Sequence, residues 1–245
     1  MKPQFKQIVT VILSIFLLSC SSDTDSESSN SPIISIPKIP ITGKIKYLAL
    51  GDSYTIGQSV CETCRYPVQL NTSLEAIYPE TSFSLKIIAK TGWTTSNLIA
   101  AINEENPQSD YDLVTLLIGV NNQYQGRDFS VYEKEFPELV TKAITLAKGD
   151  KKNVIVLSIP DYAYTPFGTM FGGTAKISTE ISQYNTFAEN YCKTNGVLFI
   201  SITDITQRGI ENPSLVASDG LHPSKEAYTL FVDRILPKVK VVLQD

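Results

Sequence analysis

The sequence predicts an α/β fold, a parallel sheet covered on both faces by helices in a three-layer α/β/α sandwich. Three observations lead there. Short, largely apolar segments recur along the chain and end at turn-forming residues. Amphipathic stretches with helical spacing lie between them. The alternation runs from about Lys44 to Asp245, long enough for one well-buried domain, without an internal repeat or a second linker.

The first segment, IKYLAL (45–50), is apolar, short and followed by Gly51, which reads as a buried strand. SLKIIA (84–89), DLVTLLI (112–118), NVIVLSI (153–159) and VLFISI (197–202) read the same way. Pro67 is placed to open a helix after the first strand. Tyr132, Phe136, Leu139, Val140, Ala143, Ile144 and Ala147 form a helical stripe that ends before Gly149. Pro137 inside it means that the main helix starts there or bends there. Ile177, Ile181, Tyr184, Ala188, Tyr191 and Cys192 mark another helix before Gly196. The last helix is expected to start after Ser224 and to end near Pro237.

Residues 1–43 are of another kind. Lys2 and Lys6 precede the apolar run Ile8–Leu18, which is shorter than the ~20 residues that span a bilayer. The order of charge, apolar core, small residue and Cys20 fits an export signal over residues 1–19. "LLSC" resembles the lipobox of bacterial lipoproteins, which implies a lipid-modified Cys20 and a membrane anchor. Residues 20–43 read as a Ser-rich, acidic tether followed by an Ile/Pro lead-in, and residues 44–245 as the folded domain. Acidic residues just after the cysteine also resemble surface-export signals of some Gram-negative lipoproteins. The expected location is therefore the bacterial cell envelope, at the periplasmic or the outer-membrane surface. The net charge of −4 and the lack of a basic cluster argue against a nucleic-acid partner. The chain is expected to act as a monomer.

Reactive groups of such folds belong at the carboxyl ends of the strands. There the sequence places Gly51-Asp52-Ser53, then Thr91-Gly92-Trp93, then Gly119-Val120-Asn121-Asn122, then Pro160-Asp161-Tyr162. The last long loop brings Asp219 and His222. A serine hydroxyl is a poor nucleophile until a base takes its proton. The chain has one histidine, so a Ser-His mechanism makes His222 that base. Asp219, three residues earlier, is close enough to accept the other ring N–H and fix the tautomer. Activity is then expected to rise with pH as His222 loses its proton.

Four blocks, LALGDSYTIG, AKTGWTTSN, LLIGVNNQYQG and SDGLHPS, resemble in order those of the SGNH (GDSL-type) hydrolase superfamily over about Tyr47 to Leu236. GDSYTIG, GVNNQYQG and SIPDY are similar to a subgroup of exported GDSL-like lipases and acylhydrolases. The resemblance implies a flavodoxin-like, five-stranded parallel sheet, no metal or cofactor, and ester hydrolysis through an acyl-serine. It also implies an oxyanion hole built from the Ser53 and Gly92 N–H groups and the Asn121 side chain, with a glycine letting substrate approach the backbone. Asn122 stands where many relatives carry an aspartate, which takes a charge away from the surroundings of Asn121. Small or carbohydrate-linked acyl esters are the expected substrates. A lysophospholipase or thioesterase on the same site, or a non-catalytic surface-binding lipoprotein, are the alternatives.

Other features stay open. Asp161, Tyr162 and Tyr164 line the pocket or belong to a structural loop, and FGTMFGG (167–173) reads as a disordered loop or a lid. Cys61 and Cys64 are too few for a zinc site and lack the strand-helix setting of a redox pair. A disulfide between them is the expectation in an oxidising compartment, with a link from Cys192 to Cys64 as the other possibility. The apolar stripe otherwise makes Cys192 a core thiol.

Overall fold

The computed structural model of the protein describes residues 41–170 and 174–244. Residues 1–40, with Cys20 and most of the tether, and 171–173 of the FGTMFGG stretch lie outside them. The chain enters with β1 (Gly43–Gly51) and turns at once into α1 (Ser53–Ile56). It continues through α2 (Tyr66–Ile77), β2 (Thr81–Ala89), α3 (Thr95–Glu105) and β3 (Leu113–Leu117). Next come α4 (Val120–Tyr124), α5 (Phe129–Leu146), β4 (Val154–Leu157), α6 (Pro166–Met170) and α7 (Thr174–Asn195). The chain finishes with β5 (Leu198–Ile200), α8 (Thr203–Thr206) and α9 (Lys225–Val242).

All strand pairs are parallel, in the order β2-β1-β3-β4-β5. Right-handed crossovers explain the layers. The chain first steps outward from β1 to β2 and then back past β1 to β3, so α2 and α3 fall on opposite faces. The helix α9 packs on α2, while α3, α5 and α7 pack in succession on the other side. Two-sided cover is what lets Tyr47–Leu50 of β1 and Leu113, Val114, Leu116 and Leu117 of β3 be fully buried. Two of the core tyrosines share one hydroxyl partner. The hydroxyls of Tyr47 and Tyr66 meet Thr115 Oγ1 at 2.9 and 3.3 Å.

The helical stripes meet as aromatic contacts. Phe129, Tyr132 and Phe136 of α5 pack against Tyr184 and Phe187 of α7, with ring centroids 4.6 to 6.2 Å apart. Helix α5 begins at Phe129, capped by the Asp128 carboxylate on the Ser130 N–H at 2.8 Å, so Pro137 is interior to it. The expected end of the last helix near Pro237 is corrected to Val242. Phe231, Ile235 and Val239 continue one buried stripe through the proline, and that burial outweighs the lost backbone bond. Strand β2 also starts earlier than expected, at Thr81 opposite Gly43, because pairing with β1 alone carries its half-buried end. Among the described residues no helix is long and apolar enough to cross a membrane.

Gly51, where β1 gives way to α1, is the tightest of these turns. A Cβ there would lie 2.1 Å from Thr55 Oγ1 and 2.5 Å from the Leu117 carbonyl oxygen. Gly51→Ala is therefore expected to destabilise the fold by about 1–3 kcal/mol through overpacking. Thermal melting measures it, and an unchanged melting temperature would mean that β1 and β3 separate there without cost.

Candidate active site

The carboxyl edge of the sheet gathers the reactive groups beside β1 and β3, where the strand order reverses. Ser53 is the first residue of α1, directly after β1. Asp52 precedes it as the N-cap, accepting the Tyr54 N–H on Oδ1 at 3.0 Å. The Asp52 carboxyl is fully buried, and burial pushes its pKa up to about 7 against the pull of its backbone and Asn121 donors.

Asp219 and His222 sit on one loop whose ends are closed by short bonds. The Ala217 N–H donates to the His222 carbonyl at 2.7 Å and the Ser224 N–H to the Leu215 carbonyl at 2.9 Å. Within it Asp219 Oδ1 accepts the N–H groups of Leu221 and His222, both at 3.0 Å. Oδ2 lies 2.6 Å from His222 Nδ1 and accepts the Ser59 hydroxyl, also at 2.6 Å. Burial works to raise the Asp219 pKa, but the Ser59 hydroxyl, the imidazole and the two backbone donors hold it well below the usual carboxylate range. An ionised Oδ2 selects the Nδ1–H tautomer and leaves the Nε2 lone pair bare. The His222 ring is 8% exposed and packs on the Tyr54 ring at 5.2 Å.

His222 and Ser53 line one cavity of about 260 Å³ together with Gly92, Asn121, Tyr124 and Phe167. Gly92 adopts φ +83°, inside a turn closed by the Trp93 N–H on the Lys90 carbonyl at 3.2 Å. A Cβ on Gly92 would meet no protein atom within 4 Å, and the left-handed backbone by itself favours glycine there. Among the described residues neither the Ser53 nor the Gly92 N–H is taken up by an acceptor. Asn121 Nδ2 donates to the Trp93 carbonyl at 3.0 Å and reaches Asp52 Oδ2 only at 3.5 Å, the outer limit of a hydrogen bond. The long bond to Asp52 is the weaker of the two, and the proton it uses is the one a guest in the cavity would compete for.

Asn122 has a different task from the one its place in the motif suggests. Its Oδ1 accepts the Thr95 N–H at 3.0 Å and its Nδ2 donates to Thr95 Oγ1 at 2.6 Å. The Thr95 hydroxyl spends its own proton on Glu135 at 2.5 Å, so it needs a donor that an aspartate does not supply. Asn122 thus ties the start of α3 to α4. Asp161 is buried and accepts from the Ala163 N–H, the Ser178 hydroxyl and the Gln207 amide, an anchor for the β4 exit. Tyr162 lines the cavity, while Tyr164 does not. Pro166–Met170 of the FGTMFGG region is helical, and Phe167 faces the cavity.

Cys61 and Cys64 are joined by a disulfide, and Cys192 is a buried free thiol. Among the described residues no cluster of three or more His, Cys, Asp or Glu side chains could hold a metal ion. Three contributors were not legible in the motifs. Tyr54 and Tyr124 carry no spacing signal beyond their neighbours, and Ser59 reaches Asp219 across 160 residues of sequence.

The family model described as the GDSL-like lipase/acylhydrolase family matches residues 49–230. An acetylxylan esterase from Geobacillus stearothermophilus superposes with a TM-score of 0.63 at 20% identity, over 82% of this chain and 96% of that one. A lipolytic G-D-S-L family member from Veillonella parvula gives 0.61 at 18%, over 79% and 97%. A lipase from a goat rumen metagenome gives 0.60 at 22%, over 81% and 97%. At these identities the likeness is one of fold. No curated protein matches the chain at a significant level.

The two aspartates titrate with opposite consequences. Asp52, raised from 3.8 to about 7, binds its proton more tightly folded than unfolded, so it lowers stability as pH rises from about 4 to 7. Asp219, held low, contributes stability above its ordinary value near 3.8 that is lost as pH falls further. Asp52→Asn keeps a carbonyl oxygen for the Tyr54 N–H and is expected to flatten the decline between pH 4.5 and 7.5. Melting temperatures of both proteins across that window measure it, and parallel curves would refute the burial account.

Proposed function

This chain belongs to the GDSL-like lipase/acylhydrolase family and is a carboxylic ester hydrolase, and from that premise we propose that Ser53, His222 and Asp219 are its catalytic triad. The observation that carries the proposal is the Asp219–His222 pair, locked at 2.6 Å and opening into the cavity that Ser53 lines. His222 Nε2 takes the Ser53 Oγ proton as Oγ bonds to the carbonyl carbon, and Asp219 stabilises the imidazolium. The N–H groups of Ser53 and Gly92 and the Asn121 amide receive the oxyanion. Collapse expels the alcohol, which takes the proton from Nε2, and leaves an acyl-serine. Water then gives a proton to His222, attacks the acyl carbon and releases the acid, returning Ser53 to its hydroxyl form.

The cavity size favours short acyl groups. At about 260 Å³ the cavity has room for an acetyl or similar acyl unit together with part of its alcohol. Tyr124, 55% exposed, stands edge-on to Tyr162 at 6.0 Å and borders a second cleft of about 340 Å³. That cleft holds Gln123, which accepts the Tyr162 hydroxyl and donates to Glu180, both at 2.8 Å. An open aromatic face beside an amide and a carboxylate suits a sugar, with its apolar face on the ring and its hydroxyls on the polar pair. The Geobacillus neighbour, an acetylxylan esterase, points the same way.

The proposal extends to location: an enzyme held on the bacterial envelope through a lipid on Cys20. Cys20→Ala is expected to move the protein from the membrane fraction to the soluble one, and retention on the membrane would refute the anchor.

An ester panel from acetyl to palmitoyl, with acetylated xylo-oligosaccharides among the alcohols, is expected to favour the acetyl end and the sugar esters. Activity should rise with pH from acidic to neutral. A fluorophosphonate should label Ser53 and leave Ser53→Ala unmodified. Asn121→Ala is expected to lower kcat by about a hundred- to thousand-fold with an unchanged melting temperature. Absence of labelling at Ser53 in the folded protein would sink the hydrolase site, and a palmitoyl preference the short-acyl reading.

A further inference from the structure

One turn outside the reacting groups touches both halves of the site. It follows α1 and runs from Gly57, with φ +77°, through Gln58 and Ser59, with φ +67°. Gln58 Oε1 accepts the Thr91 hydroxyl at 2.7 Å, one residue before Gly92. The Ser59 hydroxyl donates to Asp219 Oδ2 at 2.6 Å, on the oxygen that faces His222 Nδ1. The turn is itself held: the Val60 N–H donates to the Gly57 carbonyl at 3.3 Å and Arg65 Nη1 to the Ile56 carbonyl at 3.3 Å. The Cys61–Cys64 disulfide then closes the segment just before α2, where the Gln69 amide holds the Cys64 carbonyl.

Backbone preference alone would put glycine at Ser59, because a side chain at positive φ crowds the backbone. What serine adds there is the hydroxyl, and that hydroxyl is spent on Asp219. The two bonds from Oδ1 to Leu221 and His222 fix the carboxylate only relative to its own loop. Ser59 ties the same carboxylate to the segment that follows Ser53, so it sets the acid–base pair relative to the nucleophile.

We propose that Ser59 is a positioning residue for the Asp219–His222 pair, held in place by the Cys61–Cys64 disulfide, so that segment 57–64 staples the acid–base loop to the oxyanion turn. This role presupposes the assignment of Asp219 and His222 as acid and base. The other titratable groups that feel Asp219 are the buried phenols of Tyr54 and Tyr228, both pushed far above the ordinary range by burial. Neither titrates between acidic and neutral pH; Asp52, raised to about 7 beside Ser53, does, so the acid limb of Ser59→Gly is compared in the Asp52→Asn background, where a remaining shift reports on the pair.

Ser59→Gly removes the hydroxyl and relieves the backbone, so the fold is expected to stay intact with its melting temperature unchanged or raised. Its kcat is expected to fall about tenfold, the worth of a hydrogen bond to a charged group, with KM unchanged. The acid limb should move to higher pH, because Oδ2 without the serine donor holds the imidazolium proton more tightly. Opening the disulfide with tris(2-carboxyethyl)phosphine should lower kcat of the native protein toward the Ser59→Gly value. The same treatment should cost Ser59→Gly nothing further, since two changes acting through one contact do not add. Wild-type kcat and pH profile in Ser59→Gly would overturn the positioning role. An equal loss on reduction in both proteins would overturn the part played by the disulfide. Ser53→Ala, run alongside, separates the two levels: activity surviving in it refutes the triad itself, whatever Ser59→Gly does.

Discussion

A strand buried on both faces has to deliver its chain to the surface at one end, and the site is built on how β1 does this. Tyr47–Leu50 have no solvent on either side, so the chain leaves the sheet only after Gly51. A turn that close to Leu117 and Thr55 leaves no room for a Cβ, and the next residue, Asp52, is sealed with it. Ser53 is the first residue free to face outward. Its neighbour across the sheet, β3, exits beside it and supplies Asn121, because the order reversal parts the two crossovers above these strands. The cavity is the gap that the reversal leaves.

The two carboxyls near the serine show how environment sorts identical groups. Asp52 is sealed, has few donors and drifts toward the neutral form near pH 7. Asp219 is partly exposed, receives two backbone N–H groups, a hydroxyl and an imidazole, and stays ionised. The one beside Ser53 serves the fold as a helix cap, and the one on the distant loop pairs with the His222 ring. Exchanging these roles would leave His222 facing a group that itself carries a proton, with no charge to hold the imidazolium.

The sheet was legible because its central strands are apolar runs too short for helices, and the four motif blocks could be assigned to strand ends from order alone. The ends of elements were less so. Pro237 looked like a stop, since a local rule for proline does not count the buried stripe from Tyr228 to Val239 that carries α9 through it. Gly92 was legible as a glycine, but its left-handed backbone, a reason additional to room for substrate, was not. Asn122 looked like a lost charge at the site, because its real partner, Thr95, which in turn bonds Glu135, is set by helix packing. Pairings between segments distant in sequence, such as Ser59 with Asp219, have no one-dimensional signature at all.

That last class decides what the motifs leave undetermined. A four-residue loop fixes Asp219 and His222 to each other with local bonds, and any chain with that loop would do the same. It does not fix them to a serine that lies on another strand. What crosses between the loops is the Tyr54 ring against His222 and the Ser59 hydroxyl on Asp219, both carried on the segment that Ser53 opens. Ser53 is thus followed in sequence by the very residues that touch the Asp219–His222 pair. With Asp219 and His222 on one short loop no other strand has to supply the aspartate, and the proposed alignment of that pair with Ser53 then rests on this single segment.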